Sequence, residues 1–205
     1  MLWLEAVIKK IIRGLIKMTI SENDGKYLLK IARKAIEDKI NNNVKMDMPQ
    51  DCPEHLKEDL GVFCTINENS ELRGCIGYPE PIKPLISALI DVAISAATAD
   101  PRFPVLKKEE LEKIDLEITV LTKPELINVL KSSEYPEKIN LGEDGLIIKK
   151  GFNSGLLLPQ VATEFNMGKE EFLSHTCLKA GLYPDTWKKD VNIKIFKFQG
   201  EIFKE

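Results

Sequence analysis

Residues 61–77 read GVFCTINENSELRGCIG, two β-favouring runs, GVFCTI and ELRGCIG, on either side of NENS. Valine, isoleucine, phenylalanine and threonine suit a pleated, half-buried surface, so the pattern predicts an antiparallel hairpin with a four-residue loop. With that loop Phe63 stands across from Gly74 and Cys64 across from Arg73, a register that a slip of one residue would undo. Side chains alternate along a strand. Leu72, Gly74 and Ile76 therefore share one face, with Leu72 and Ile76 expected in the core, while Arg73, Cys75 and Gly77 share the other.

The second face carries the chemistry. Arg73 and Cys75 lie about 6–7 Å apart at the backbone, two residues along a strand that rises about 3.3 Å per residue. A neighbouring guanidinium favours thiolate over thiol, and the thiolate is the nucleophile. The same spacing fits a packed thiol beside a paired charge, since free cysteine is among the most buried residue types. Glycine weakens a strand interior, so Gly74 and Gly77 point to a ligand or another backbone approaching closely.

Outward from the hairpin, SENDGKYLLKIARKAIEDKINNN predicts a helix capped by Ser21, with Leu28, Ala32, Ala35 and Ile36 on its apolar stripe. KPLISALIDVAISAATAD predicts the most buried helix, with Pro84 at its start and Pro101 and Pro104 of DPRFPV stopping it. IDLEITVLT alternates as a strand with one wet face, and GLIIKKGFNSGLLLPQ reads as a second hairpin around Gly151 and Gly155. KEEFLSHTCLKAGL is a helix closed by Gly181. In DVNIKIFKFQGEIFKE the apolar positions change phase after Ile195, which predicts a bulge. KKEELEK, residues 107–113, reads as a solvated helical face.

Hairpins mixed with helices, without regular βαβ order, predict an α+β fold of antiparallel sheets with packed helices. No repeat or flexible linker divides the chain, so residues 21–205 are expected to form one domain. Residues 1–20 are expected to be an extension outside it, with Met18 as the natural start. The run MLWLEAVIKKIIRGLIK is broken by Lys9, Lys10 and Arg13, short of the roughly 20 apolar residues a membrane span needs.

The 205 residues carry a formal charge of −3, which offers no overall attraction to nucleic acid. Four cysteines without a signal peptide or a dense disulfide spacing predict reduced thiols in the cytoplasm. No CxxC occurs and His55 and His175 are the only histidines, so no metal site is expected. The absence of GxGxxG and P-loop motifs leaves no cofactor indicated.

The words LRGCIGYPEP, DPRFP, SGLLLPQVA and FLSHTCLKAGL, in this order, resemble the AMMECR-one domain family, named after the protein of an Alport-syndrome chromosomal region. The resemblance runs from about Ser21 to the C terminus, and residues 72–77 fill the hallmark LRGCIG without departure. It implies an α+β fold in two unequal lobes with the hallmark near a cleft between them. It further implies association with redox or radical chemistry, because relatives are fused to or encoded beside Memo-like and radical SAM modules, neither of which lies in this chain. The family has no settled biochemical activity. By position the resemblance carries over Asp100 and Arg102 in the loop motif, Gln160 after the second hairpin, and His175 with Cys177 in the late helix.

On a helix, His175 and Cys177 point about 200° apart, at 3.6 residues per turn. Cys177 falls on the apolar stripe, leaving His175 to reach toward Cys75 or to serve as an ordinary structural histidine. The leading expectation is thus a small-molecule or modified-substrate site with Cys75 as nucleophile, Arg73 as thiolate stabiliser and His175 as proton shuttle, bordered by Gly74, Gly77, Asp100, Arg102 and Gln160. The alternative is a non-catalytic adaptor whose hairpin docks a redox or radical enzyme. A nucleic-acid-binding module stands third.

Overall fold

The computed structural model describes residues 20–205. The expected N-terminal extension, with Met18 as natural start, lies outside the described residues except for Ile20. Helix α1, Glu22–Asn42, begins as its sequence demands. The Ser21 hydroxyl accepts the Asp24 amide N–H and the Asp24 carboxylate accepts that of Ser21, a reciprocal capping box. Its stripe of Leu28, Ala32, Ala35 and Ile36 is fully buried.

Strands β1, Gly61–Glu68, and β2, Glu71–Tyr78, form the expected hairpin, but on a two-residue turn. Asn69 and Ser70 both adopt positive φ, 54° and 66°, the turn form whose twist matches that of the flanking strands. The shorter turn changes the register. Phe63 pairs with Gly77, Cys64 with Ile76 and Thr65 with Cys75, correcting the expected Phe63–Gly74 and Cys64–Arg73 pairs. Ile66 faces Gly74 while Asn67 faces Leu72, so Arg73 is an extra residue at a β-bulge. Beyond that bulge the strand no longer keeps its core-facing phase, and Leu72, expected in the core, is 43% exposed.

Helix α2, Leu85–Thr98, follows Pro84, and nine of its 14 residues are buried. Strand β3, Ile114–Leu121, pairs with β1 along its whole length. With β8, Gly200–Lys204, they complete an antiparallel sheet in the order β2-β1-β3-β8. Helices α1 and α2 cover one face of this sheet, and its core holds Val62, Cys64, Ile66, Leu116 and Ile118.

A second antiparallel sheet runs β4-β7-β5-β6: β4 is Glu125–Leu126, β5 Gly145–Lys150, β6 Asn153–Leu157 and β7 Lys194–Phe198. The short helices α3, Pro159–Glu164, and α5, Thr186–Lys189, and the longer α4, Lys169–Lys179, surround a separate core with Ile148, Phe172, Leu173, Trp187 and Ile195. A small third cluster, Leu121, Ile147 and Phe198, joins residues of both sheets. The fold is α+β with antiparallel sheets, as the hairpins predict.

The phase change after Ile195 is no bulge: β7 pairs with β5 in unbroken register from Lys194 to Phe198, and both of its faces are apolar, Ile195 in the second core and Phe196 and Phe198 at the third cluster. The chain leaves the second sheet at Phe198 and enters the first at Gly200. The earlier crossing, after β3, runs alongside: Thr122 donates its N–H to the Gln199 carbonyl at 2.8 Å, and Gln199 returns its N–H to Thr122 Oγ1 at 2.9 Å. The Gln199 amide also donates to Asp144, a fully buried carboxylate that accepts the Asn140 N–H as well.

Gly155 and Gly151, both in the second hairpin, answer to different constraints. A Cβ on Gly155 would stand 2.3 Å from the Ala180 backbone nitrogen, whereas one on Gly151, at φ +57°, meets nothing. Gly155→Ala is expected to cost about 3 kcal/mol, the upper range of overpacking because backbone must move. Gly151→Ala is expected to cost about 1 kcal/mol of left-handed strain. Denaturant titration of both variants checks this, and equal losses would contradict it.

Candidate functional site around the hallmark strand

Among the described residues strand β2 is an edge strand, with β1 on one side only. The backbone groups of an edge are unpaired unless something covers them. At Cys75 the DPRFP loop does so. The Asp100 carboxylate, on a residue only 4% exposed, accepts the Cys75 N–H at 2.9 Å, and Arg102 Nη2 donates to the Cys75 carbonyl at 3.1 Å. The two side chains bind each other through Arg102 Nε at 3.0 Å and Nη2 at 2.7 Å, and the Arg102 N–H adds a third bond to Asp100. An ion pair thus stands where the next strand would be.

This arrangement also sets the thiol. With its N–H and C=O both turned outward, Cys75 forms a non-hydrogen-bonded pair with Thr65, the geometry that brings opposite side chains closest. The Thr65 hydroxyl accordingly donates to Cys75 Sγ at 3.3 Å. Cys75 is half-buried, whereas Cys52, Cys64 and Cys177 are buried. Burial pushes the thiols of those three up, away from the reactive thiolate. Asp100 first, and Cys75 to a lesser extent, hold the Arg102 guanidinium more firmly protonated than usual. Arg102 in turn keeps the Asp100 carboxyl well below the usual carboxylate range.

Arg73 is engaged elsewhere. Its Nε and Nη2 bind Glu110 at 2.8 and 3.3 Å, and Nη1 donates to the Pro104 carbonyl at 2.9 Å. Arg73 and Glu110 are 12% and 18% exposed, so the guanidinium is a structural clamp holding the loop after α2 against the hairpin. Its charge is matched by a carboxylate, and the cation that reaches Cys75 is Arg102. Glu110, expected on a solvated helical face, sits in a 3-10 turn, Lys108–Glu110, with its own carboxyl lowered chiefly by Arg73.

The two hallmark glycines receive neighbours from within the chain. A Cβ on Gly74 would lie 2.3 Å from the Ala96 carbonyl oxygen of α2, and one on Gly77 would meet the Phe63 ring at 2.2 Å. His175 lies on α4, which packs against the second sheet, and its one ionic neighbour among the described residues is Glu171, at 3.9 Å. The structure does not bring it to Cys75. Cys177 on the same helix is fully buried, as its stripe predicts. Gln160, at the start of α3, borders a hollow of about 340 Å³ together with Thr119, Gly200 and Ile202 of the first sheet and Gly142 and Glu143.

Of the expected residues, then, Cys75, Asp100 and Arg102 are assembled at one place. Two partners escaped the sequence reading. Thr65 was hidden by the misplaced register, and Glu110 by a charge-rich segment that carries no periodicity of its own. Among the described residues no group of three His, Cys, Asp or Glu is placed to hold a metal ion, and no helix is long and apolar enough to cross a membrane.

Comparison with known proteins finds relatives that match most of this chain. A protein of Methanothermobacter thermautotrophicus is 51% identical over 186 residues, covering 91% of this chain and 96% of its own. Protein PF1979 of Pyrococcus furiosus is 49% identical over 191 residues, 91% of this chain and 90% of the relative. The crystal structure of the uncharacterised protein PH0010 from Pyrococcus horikoshii superimposes with a TM-score of 0.79 at 48% identity, covering 91% of this chain and 93% of that one. The AMMECR1 family model matches residues 29–203, from within α1 into the last strand, and the chain belongs to the AMMECR1 family.

Proposed function

We propose that the protein binds a small molecule or modified substrate on the outward face of the first sheet, with the Cys75 sulfur as its nucleophilic or contacting group. The observation that carries this reading is the Asp100–Arg102 pair, which fixes both backbone groups of Cys75 and leaves its thiol half-exposed beside a hydroxyl donor and a guanidinium. Arg102 takes the part expected of Arg73: its side chain is 54% exposed, so it is open to an anionic group or to negative charge developing on sulfur. His175 has no part in this site. Four free thiols fit a reducing cytoplasm as the place of action. Memo-like and radical SAM proteins, as separate chains, are the partners that the family resemblance suggests for supplying or consuming the substrate.

The carboxylate of the clamp makes its contribution to stability depend on pH. A carboxyl whose folded value is depressed contributes its full stability above its unfolded value, about 3.9, and loses it as pH falls through the lower folded value. Asp100→Ala orphans the Cys75 N–H and is expected to cost about 1–3 kcal/mol at neutral pH. The gap from wild type should narrow as pH falls below about 3.9, and a gap independent of pH in denaturant titrations contradicts the clamp.

Alkylation with iodoacetamide, followed by peptide mass spectrometry, tests the site itself. Cys75 is expected to be labelled in the folded protein while Cys52, Cys64 and Cys177 remain protected until unfolding. Arg102→Gln is expected to slow Cys75 labelling about three- to fivefold, the size of a half-exposed charge interaction. Labelling of all four thiols at one rate, or of Cys75 last, would overturn the reading.

A further inference from the structure

We infer that the hollow beside Gln160 and the Cys75 thiol are the two ends of one elongated ligand site, whose far end takes a neutral, N–H-bearing head group such as a carboxamide. This rests on the reading of Cys75 as a ligand-contacting residue and adds where the rest of the ligand lies.

Strand register places both ends on one surface. Cross-strand partners point to the same face of a sheet. Cys75 pairs with Thr65 and Thr65 with Glu117, which form one row across three strands. Phe63 pairs with Thr119 and Thr119 with Ile202, which form the next row. The opposite face, with Cys64, Ile66 and Ile118, is sealed by helices. Cys75 therefore looks out on the side that bears Thr119 and Ile202, two residues of the hollow. Two strand spacings of about 4.8 Å and two residues of about 3.4 Å put the Cys75 and Thr119 backbones about 12 Å apart. On the middle strand Thr65, opposite Cys75, and Phe63, opposite Thr119, flank the diagonal between them.

Among the described residues, the lining at the far end is polar and holds no cation. Neither the Gln160 amide nor the Thr119 hydroxyl bonds another described residue, and both types offer donors and acceptors together. Among the described residues Glu143 is the sole charged side chain of the lining, and it accepts hydrogen bonds while repelling anions. Half-exposed Ile202 supplies an apolar flank. A carboxamide or similar group satisfies this set, and a carboxylate does not.

Two elongated iodoacetamides test it, each with a linker of about 12 Å, the strand-geometry span, one ending in a primary carboxamide and the other in a carboxylate. In each case the Cys75 sulfur forms a bond to carbon, the carbon–iodine bond breaks, iodide leaves and the thiol proton passes to solvent. With rates normalised to plain iodoacetamide on the same variant, the carboxamide reagent is expected to label Cys75 about tenfold faster than the carboxylate, as two hydrogen bonds and one avoided repulsion allow. Gln160→Ala and Thr119→Val should each bring that ratio toward one. Fast labelling with equal rates for both tails, or a ratio unchanged in Gln160→Ala, overturns the two-ended site alone. No labelling of Cys75 by any of the three reagents overturns both it and the reading it rests on.

Discussion

A single hydrogen bond, from the Cys75 amide to the Asp100 carboxylate, orders much of what surrounds the hallmark strand. An edge strand leaves every second backbone pair without a partner, and water or another chain will take it. Here the pair at Cys75 is closed by a carboxylate and a guanidinium that also hold each other. Register with β1 makes Cys75 a non-hydrogen-bonded partner of Thr65, and the closure satisfies the two backbone groups that this turns outward. Arg73 and Glu110 fasten the same loop a few residues on, through three further hydrogen bonds that Arg73 donates. Two arginines of the hairpin-and-loop region thus divide the work: one is half-exposed beside the thiol, the other is locked in a structural pair.

The second sheet bears on this surface because the chain crosses between the sheets twice at one place. Thr122 and Gln199 exchange backbone and side-chain bonds there, and Asp144 anchors the Gln199 amide from the second sheet's side. The third apolar cluster, with Leu121 from the first sheet and Ile147 and Phe198 from the second, lies beside this crossing. The hollow at Gln160 borders it too, since Gln199 and Gly200 belong to its lining. Placement of Gln160 relative to Thr119 therefore depends on this polar exchange and on the apolar cluster together.

Elements with strong periodicity were legible from residues alone. The stripe of α1, the small-residue packing of α2 and the alternation of β3 each repeat a pattern over several turns or pairs, and each folds as read. The register of the first hairpin was not. NENS contains two residues able to adopt positive φ, Asn69 and Ser70, and shortening the turn to those two moves every pair, with the bulge at Arg73 absorbing the remaining mismatch. The phase change near Phe196 was visible, but a bulge and a strand that packs apolar side chains on both faces leave the same trace in one sequence. At the site, Cys75, Asp100 and Arg102 were named from the motif, whereas Glu110 and Thr65 required knowing which segments meet. Long-range pairing of charges separated by 37 residues, as for Arg73 and Glu110, has no local signature.

Amide hydrogen exchange at Cys75 tests the central claim most directly. The Cys75 N–H should be protected in the wild-type protein like that of an interior strand, although it points away from β1. In Asp100→Ala that protection should vanish, while Ile76, paired with Cys64 across the sheet, keeps its own. A Cys75 amide that exchanges freely in the wild type, or one that stays protected without the carboxylate, would contradict the account.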